Sequence, residues 1–245
     1  MSKDLAEIED LARARLKFNG IVTLLPVPES KLTIPGLGVQ PAATSSNDDA
    51  SQHQIKYAQS LNIENENSTF FHEFCHVKLS EIGFKKAEKL IEIKISECCD
   101  SESERTEMRV AHIFVAETLA DSLLYRYFRE ESEASRDQLD YAYLMSDNLR
   151  KIESTFGSQG ISQAVGYRIA KGRSGVTEDN AFQVAIEQAF GNGDVVDSYN
   201  EMFSALSVLP SIKGDDVIEQ MNAKDISEIV ACTLKLYEIR TGKKC

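Results

Sequence analysis

The segments of this 245-residue chain that favour β-strands all lie before residue 64, and helical patterns fill the rest. Residues 4–17 carry apolar side chains at helical spacing, which predicts an N-terminal helix. The stretch 40–52 is small and polar and predicts a loop. Strands are predicted where β-branched or alternating apolar residues occur, at 21–25, 32–34 and 54–63. The expected fold class is α+β, with a short, mostly antiparallel sheet.

After residue 68 the spacing of apolar residues predicts helices almost throughout. One helix is expected over 70–81, whereas residues 85–96 fit either a helix or a strand. Further helices are expected at 104–130, 136–156, 161–171, 180–190, 194–208, 215–221 and 225–240. We divide the chain into a core unit, 1–131, and a mostly helical C-terminal region, 132–245, which either stands apart or packs on the core as one unit.

The charge balance argues against two classes of partner. The chain has 39 Asp and Glu residues against 27 Lys and Arg residues, a formal net charge of −12. Nucleic-acid phosphates and anionic lipid surfaces both require clustered basic side chains. The longest apolar segment, 20–27, contains Pro26 and is far shorter than the roughly 18 residues that span a membrane. We therefore expect neither a nucleic-acid nor a membrane partner.

The cysteines do not follow a disulfide framework. Their number is odd and two of them are adjacent, and residues 1–9 carry acidic side chains without the apolar stretch of a signal peptide. These features predict a cytoplasmic protein in which all five cysteines are reduced. The five are Cys75, Cys98, Cys99, Cys232 and Cys245.

The strongest functional pattern is His72-Glu73-Phe74-Cys75-His76, an H-E-x-x-H sequence. Positions i and i+4 of a helix lie about 40° apart around its axis, so both imidazoles point the same way and can bind one Zn²⁺. Glu73 lies about 100° from His72, where it can reach a water on the metal rather than the metal itself. The pattern predicts a zinc site with Glu73 as the general base.

A catalytic zinc ion usually has three protein ligands, and the third must come from elsewhere in the chain. Glu117 and Asp121 are also spaced i, i+4, within an apolar stretch where two acids are costly unless they are bound or paired. Glu117 is the preferred third ligand, and Asp121 can accept the distal N–H of a ligating histidine. His112 is the alternative, although it lies about 140° from Glu117 on the same helix.

His72-Glu73-x-x-His76 followed on a later helix by Glu117-x-x-x-Asp121 resembles the zincin metallopeptidases of the gluzincin branch. The resemblance covers roughly residues 5–130, and the interval of 41 residues between His76 and Glu117 is longer than in compact members of that family. It implies a zinc-dependent peptidase that acts on peptides or proteins, with His72, His76 and Glu117 as ligands, Glu73 as base and Asp121 supporting a ligand.

Two other functions are compatible with the sequence. The domain could bind metal as an inactive sensor or interaction module, with the helical C-terminal region docking on the cleft or on a protein partner. Alternatively, the chain could be a helical scaffold in which H-E-x-x-H is coincidental.

For a peptidase, the strand at 54–61 is the expected edge for an extended substrate. Candidate donors to the oxyanion are Tyr125, Tyr127, Tyr167 and Arg168.

Overall fold

A mixed three-stranded sheet forms the N-terminal part of the computed structural model, which describes residues 4–62, 66–174, 181–191, 193–210 and 220–245. The strand order is β1 (Ile21–Val27), β5 (Gln52–Ala58) and β4 (Ala42–Ser46), with β1 parallel and β4 antiparallel to β5. A separate antiparallel hairpin pairs β2 (Thr33–Ile34) with β3 (Gly38–Val39). In this arrangement β5 is the central strand and β4 is an edge.

Helices make up most of the rest of the described chain. Helix α1 (Leu5–Leu16) precedes the sheet, and α2 (Asn67–Leu79) follows it. Helix α2 ends in a short π-helical turn at Ser80–Phe84. The longest helix, α4 (Glu102–Tyr127), begins with a capping box between Ser101 and Glu104. The others are α3 (Lys85–Cys98), α5 (Glu133–Leu144), α6 (Ser146–Phe156), α7 (Ser158–Arg173), α8 (Ala181–Phe190), α9 (Asp194–Ser207) and α10 (Ala223–Thr241).

Helix α2 presents two faces with different chemistry. Phe70, Phe71 and Phe74 are fully buried and anchor the helix in the core. His72 and His76, one turn apart, lie on a partly exposed face directed at α4. The apolar face therefore fixes the rotation of the helix and so determines where the two imidazoles point.

The helical C-terminal region packs directly on α4. Gly166 of α7 allows the close approach, because a Cβ at this position would lie 2.8 Å from Thr118 Oγ1. One continuous cluster of buried apolar residues extends from Ile8 to Tyr237. The predicted division between residues 131 and 132 falls just after α4, and the core runs across it.

The α+β fold and the order of its elements are confirmed, with two corrections to the local predictions. The loop predicted at 40–52 is wrong over 42–46, because β4 forms there through five residue pairs with β5 that local composition does not reveal. The single helix predicted at 136–156 is two helices, which meet at the extended backbone of Met145. Residues 85–96 are helical. Most of the helix predicted at 215–221 lies outside the described residues.

One disulfide departs from the expected reduced thiols. Cys98, at the end of α3, is bonded to Cys245, 147 residues later, with their Cα atoms 5.3 Å apart. The expectation was wrong for this pair because such a separation leaves no local spacing pattern. Cys75, Cys99 and Cys232 are free and buried. None of the described helices is both long and apolar enough to cross a membrane.

Candidate metal centre

Two helices bring the predicted ligands together at one point. Glu117 of α4 places one carboxylate oxygen 3.0 Å from His72 Nε2 and the other 3.1 Å from His76 Nε2. The two Nε2 atoms of α2 are themselves 3.1 Å apart. His72, His76 and Glu117 are also the group of potential metal ligands found among the described residues. These three residues, called here the metal triangle, thus join α2 to α4 through two imidazole nitrogens and the two oxygens of one carboxylate.

The size and chemistry of this triangle fit a zinc ion. Zinc bound by imidazole nitrogens and a carboxylate oxygen has bonds of about 2.0–2.1 Å, so neighbouring ligand atoms of a tetrahedron lie about 3.3–3.4 Å apart. The three observed separations, of which the two to Glu117 involve different carboxylate oxygens, are each within a few tenths of an ångström of that value. Other divalent ions that accept nitrogen and oxygen ligands would also fit this donor set.

Asp121 fixes the orientation of the first imidazole. Its Oδ1 lies 2.9 Å from His72 Nδ1. In the neutral ring this contact places the proton on Nδ1, which donates to Asp121 and leaves the lone pair of Nε2 directed at the triangle. Asp121 is therefore placed where it could support His72 as a ligand, and the i, i+4 spacing with Glu117 puts both carboxylates on one face of α4.

The charges around the triangle favour a cation within it. Burial lowers the pKa of His72, but the negative charge of Glu117 and the hydrogen bonds to Asp121 and Glu117 outweigh it and hold that pKa well above its usual range. Burial alone would raise the pKa of Glu117, whereas the two histidines beside it lower that pKa overall. Because Glu117 remains 43% exposed, solvent screens part of this effect.

Glu73 is held by a residue that the sequence did not single out. Its side chain is only 6% exposed, and Thr44 of the edge strand β4 donates its hydroxyl to Glu73 Oε2 over 2.6 Å. Thr44 Oγ1 also lies 3.2 Å from the Glu73 carbonyl oxygen. No local signal predicted this contact, because Thr44 precedes Glu73 by 29 residues and lies in the stretch expected to be a loop.

A cavity of about 610 Å³ opens over the triangle. This volume is typical of sites for small molecules or side chains. Strand β4 forms one wall, and the predicted residues His72, Glu73, His76, Glu117 and Asp121 all line the cavity. The strand expected to pair with substrate, 54–61, is the central strand β5, which has neighbours on both sides, so that prediction was wrong. Strand β4 is the edge at the cavity.

His112 does not join the triangle. Its ring stacks on Phe84 with centroids 5.0 Å apart, and its Nδ1 lies 3.2 Å from Thr233 Oγ1. It is buried, and burial lowers its pKa to about 4. The structure therefore places Glu117, not His112, beside the two motif histidines.

The candidate oxyanion donors are divided between two regions. Tyr125 and Tyr167 line the cavity, and the Tyr167 hydroxyl donates to Asp140 over 2.7 Å. Arg168 instead lies over the Phe203 ring, 4.0 Å from its centroid. Neither Arg168 nor Tyr127 is among the residues that line the cavity.

Comparison with known proteins finds no matching family model, no matching curated protein and no matching solved structure. The resemblance to zincins therefore remains a prediction carried by the motif residues and by the geometry of this site.

Proposed function

We propose that this protein is a zinc-dependent metallopeptidase that hydrolyses peptide bonds. The observation that carries the proposal is the triangle of His72, His76 and Glu117, together with a buried Glu73 at the same cavity. Metal ligands alone would suit a storage or sensing site. The adjacent carboxylate, positioned by Thr44, adds the proton-transfer group that hydrolysis requires.

Each residue of the site has a separate role in the proposed hydrolysis. A zinc ion in such a site lowers the pKa of its bound water towards about 7 and polarises a carbonyl group. Glu73 takes the proton from the attacking water and then delivers it to the leaving amine. Because Thr44 donates to Oε2, we assign the proton-accepting role to Oε1. Asp121 keeps His72 in the tautomer that binds the metal.

The edge strand provides a means of aligning a substrate. Strand β4 pairs with β5 on one side, and its residues line the cavity next to Glu73. An extended peptide can add to such an edge through backbone hydrogen bonds, which fixes its carbonyl groups in a regular register. We infer that the substrate is an extended segment of a peptide or protein.

The test compares zinc content and peptide cleavage in the wild type and in Glu73→Gln. Glutamine keeps the shape of the side chain but cannot accept a proton. We expect both proteins to hold one zinc ion per chain and the variant to lose about 10²- to 10⁴-fold in rate. Glu97→Gln is the matched control, because Glu97 pairs with Lys94 on the surface of α3.

Three outcomes separate the proposal from its alternatives. Equal cleavage by wild type and Glu73→Gln would remove Glu73 as the base. Bound zinc without cleavage of any peptide in a random library would favour the sensor or interaction module. Purified protein without zinc, even after incubation with the metal, would contradict both metal functions and leave the helical scaffold.

A further inference from the structure

One arm of the cavity is walled by three tyrosines, Tyr125, Tyr143 and Tyr167, and is called here the tyrosine arm. Tyr125 belongs to α4, Tyr143 to α5 and Tyr167 to α7. Two of its three walls therefore come from the helical C-terminal region, which lies outside the part of the chain that resembles zincins. The helical C-terminal region therefore contributes residues to the cavity of the candidate metal centre.

The tyrosine arm begins beside the metal triangle. Glu117, Asp121 and Tyr125 follow one another at intervals of four residues along one face of α4. A helix rises 1.5 Å per residue, so Tyr125 lies about 6 Å beyond Asp121 and about 12 Å beyond Glu117 along the axis. The charge of Asp121 also acts on the hydroxyls of both Tyr125 and Tyr143. An extended peptide spans about 3.3 Å per residue, so a side chain that enters the arm belongs to a residue within a few positions of the bond at the metal.

The walls of the arm are suited to an aromatic ring. Tyr167 meets Tyr125 edge to face, with centroids 5.8 Å apart at 85°, and lies 5.7 Å from Tyr143 at 43°. Leu124 and Leu139 add apolar surface. Aromatic rings attract one another in offset and edge-to-face arrangements, beyond the burial of apolar area.

The hydroxyl groups of the arm differ in their partners. Tyr167 donates to Asp140. By contrast, in the part of the chain that the structure describes, no hydrogen bond is found for the hydroxyls of Tyr125 and Tyr143. Neither oxygen is among the buried atoms that lack a partner, so both hydroxyls remain accessible at the cavity that these residues line. A phenol is neutral at ordinary pH, so the Tyr143 hydroxyl can donate to a ligand in the cavity.

We propose that the tyrosine arm binds an aromatic side chain of the substrate, on a residue within a few positions of the bond that is cut. This inference rests on the proposed function and gives it a substrate class: peptides with an aromatic residue near that bond. The pocket is formed only because the helical C-terminal region packs on α4.

The test measures binding to the zinc-loaded full chain by calorimetry, without relying on turnover. The probes are three hydroxamic acids, which bind zinc and differ only in their tails: propanohydroxamic, 3-phenylpropanohydroxamic and 3-cyclohexylpropanohydroxamic acid. We expect the phenyl compound to bind at least about tenfold more tightly than the unsubstituted one, and several-fold more tightly than the cyclohexyl one.

Variants then locate the preference. Tyr143→Ala should reduce the advantage of the phenyl compound, whereas Tyr143→Phe, which keeps the ring, should retain it. Tyr141→Ala is the matched control, because Tyr141 lies on the same helix and is 67% exposed. If Tyr143→Ala does not fold, the comparison of the three probes on the wild type still tests whether the arm prefers an aromatic ring.

The failures of this inference and of the proposed function are distinguishable. Equal affinities for the phenyl and unsubstituted compounds, with zinc bound, would overturn the tyrosine arm alone. Tighter binding of the cyclohexyl compound would overturn the aromatic class. Failure to bind zinc would overturn the proposed function and this inference with it.

Discussion

His72 and His112 are both largely enclosed by protein, yet their surroundings have opposite effects on their charge. His72 faces Glu117 and Asp121, which hold its pKa well above the usual range despite burial. His112 stacks on Phe84, and burial, opposed by the charge of Glu92, lowers its pKa to about 4. Contact with carboxylates, rather than burial, therefore distinguishes a histidine suited to a cation from one used for packing.

The largest expected effect contrasts the two candidate third ligands. Glu117→Ala removes one of three donors, and we expect zinc affinity to fall by roughly 10³-fold, because zinc sites contribute about 10–16 kcal/mol in total. His112→Ala should leave zinc affinity unchanged, since His112 lies outside the triangle. Competition with a chromophoric chelator measures both. A loss of zinc in His112→Ala but not in Glu117→Ala would reverse the assignment.

The next effect concerns the packing histidine and pH. The pKa of His112 is about 4 in the folded chain and 6.5 in the unfolded one. Between these values the unfolded state binds the extra proton, so stability falls as pH is lowered from about 6.5 to about 4. The total is about 3 kcal/mol. Urea unfolding across this range should show the loss in wild type and less of it in His112→Asn. Identical pH profiles would show that the loss of stability does not come from protonation of His112.

A smaller effect is expected where a carboxylate acts through a histidine. Asp121→Asn keeps the size of the side chain but removes the charge that orients His72. Zinc affinity should fall by about 10- to 100-fold, which is less than for Glu117→Ala. Asp147→Asn is the control, because Asp147 is exposed on α6. Unchanged affinity in Asp121→Asn would show that the contact does not support the metal.

The smallest effect should come from the edge strand. Thr44→Val removes the hydroxyl that donates to Glu73, and we expect kcat for peptide cleavage to fall about tenfold, equivalent to about 1.4 kcal/mol. KM should change little, and Thr44→Ser should restore most of kcat because it retains the donor. A fall that serine does not reverse would point to packing of the methyl group instead.

Helical periodicity explains why much of the site could be predicted. His72 and His76 on α2, like Glu117 and Asp121 on α4, are four residues apart, so the sequence itself determines which side chains share a face. Rotation of each helix follows from its apolar positions. The meeting of the two faces was inferred from donor chemistry, and the structure places them together.

Contacts between distant segments could not be read in the same way. Thr44 reaches Glu73 only because β4 pairs with β5, and the small polar residues of β4 carry no alternating pattern. The tyrosine arm joins three helices, and no spacing rule connects Tyr125 to Tyr143 or Tyr167. The bond between Cys98 and Cys245 likewise depends on tertiary structure.

X-ray absorption at the zinc edge of the purified, zinc-loaded protein measures the ligands of the metal centre directly. We expect a shell of nitrogen and oxygen ligands at about 2.0–2.1 Å, with the signature of two imidazole rings from His72 and His76. A sulfur ligand at about 2.3 Å, or a shell without imidazole, would contradict the metal centre.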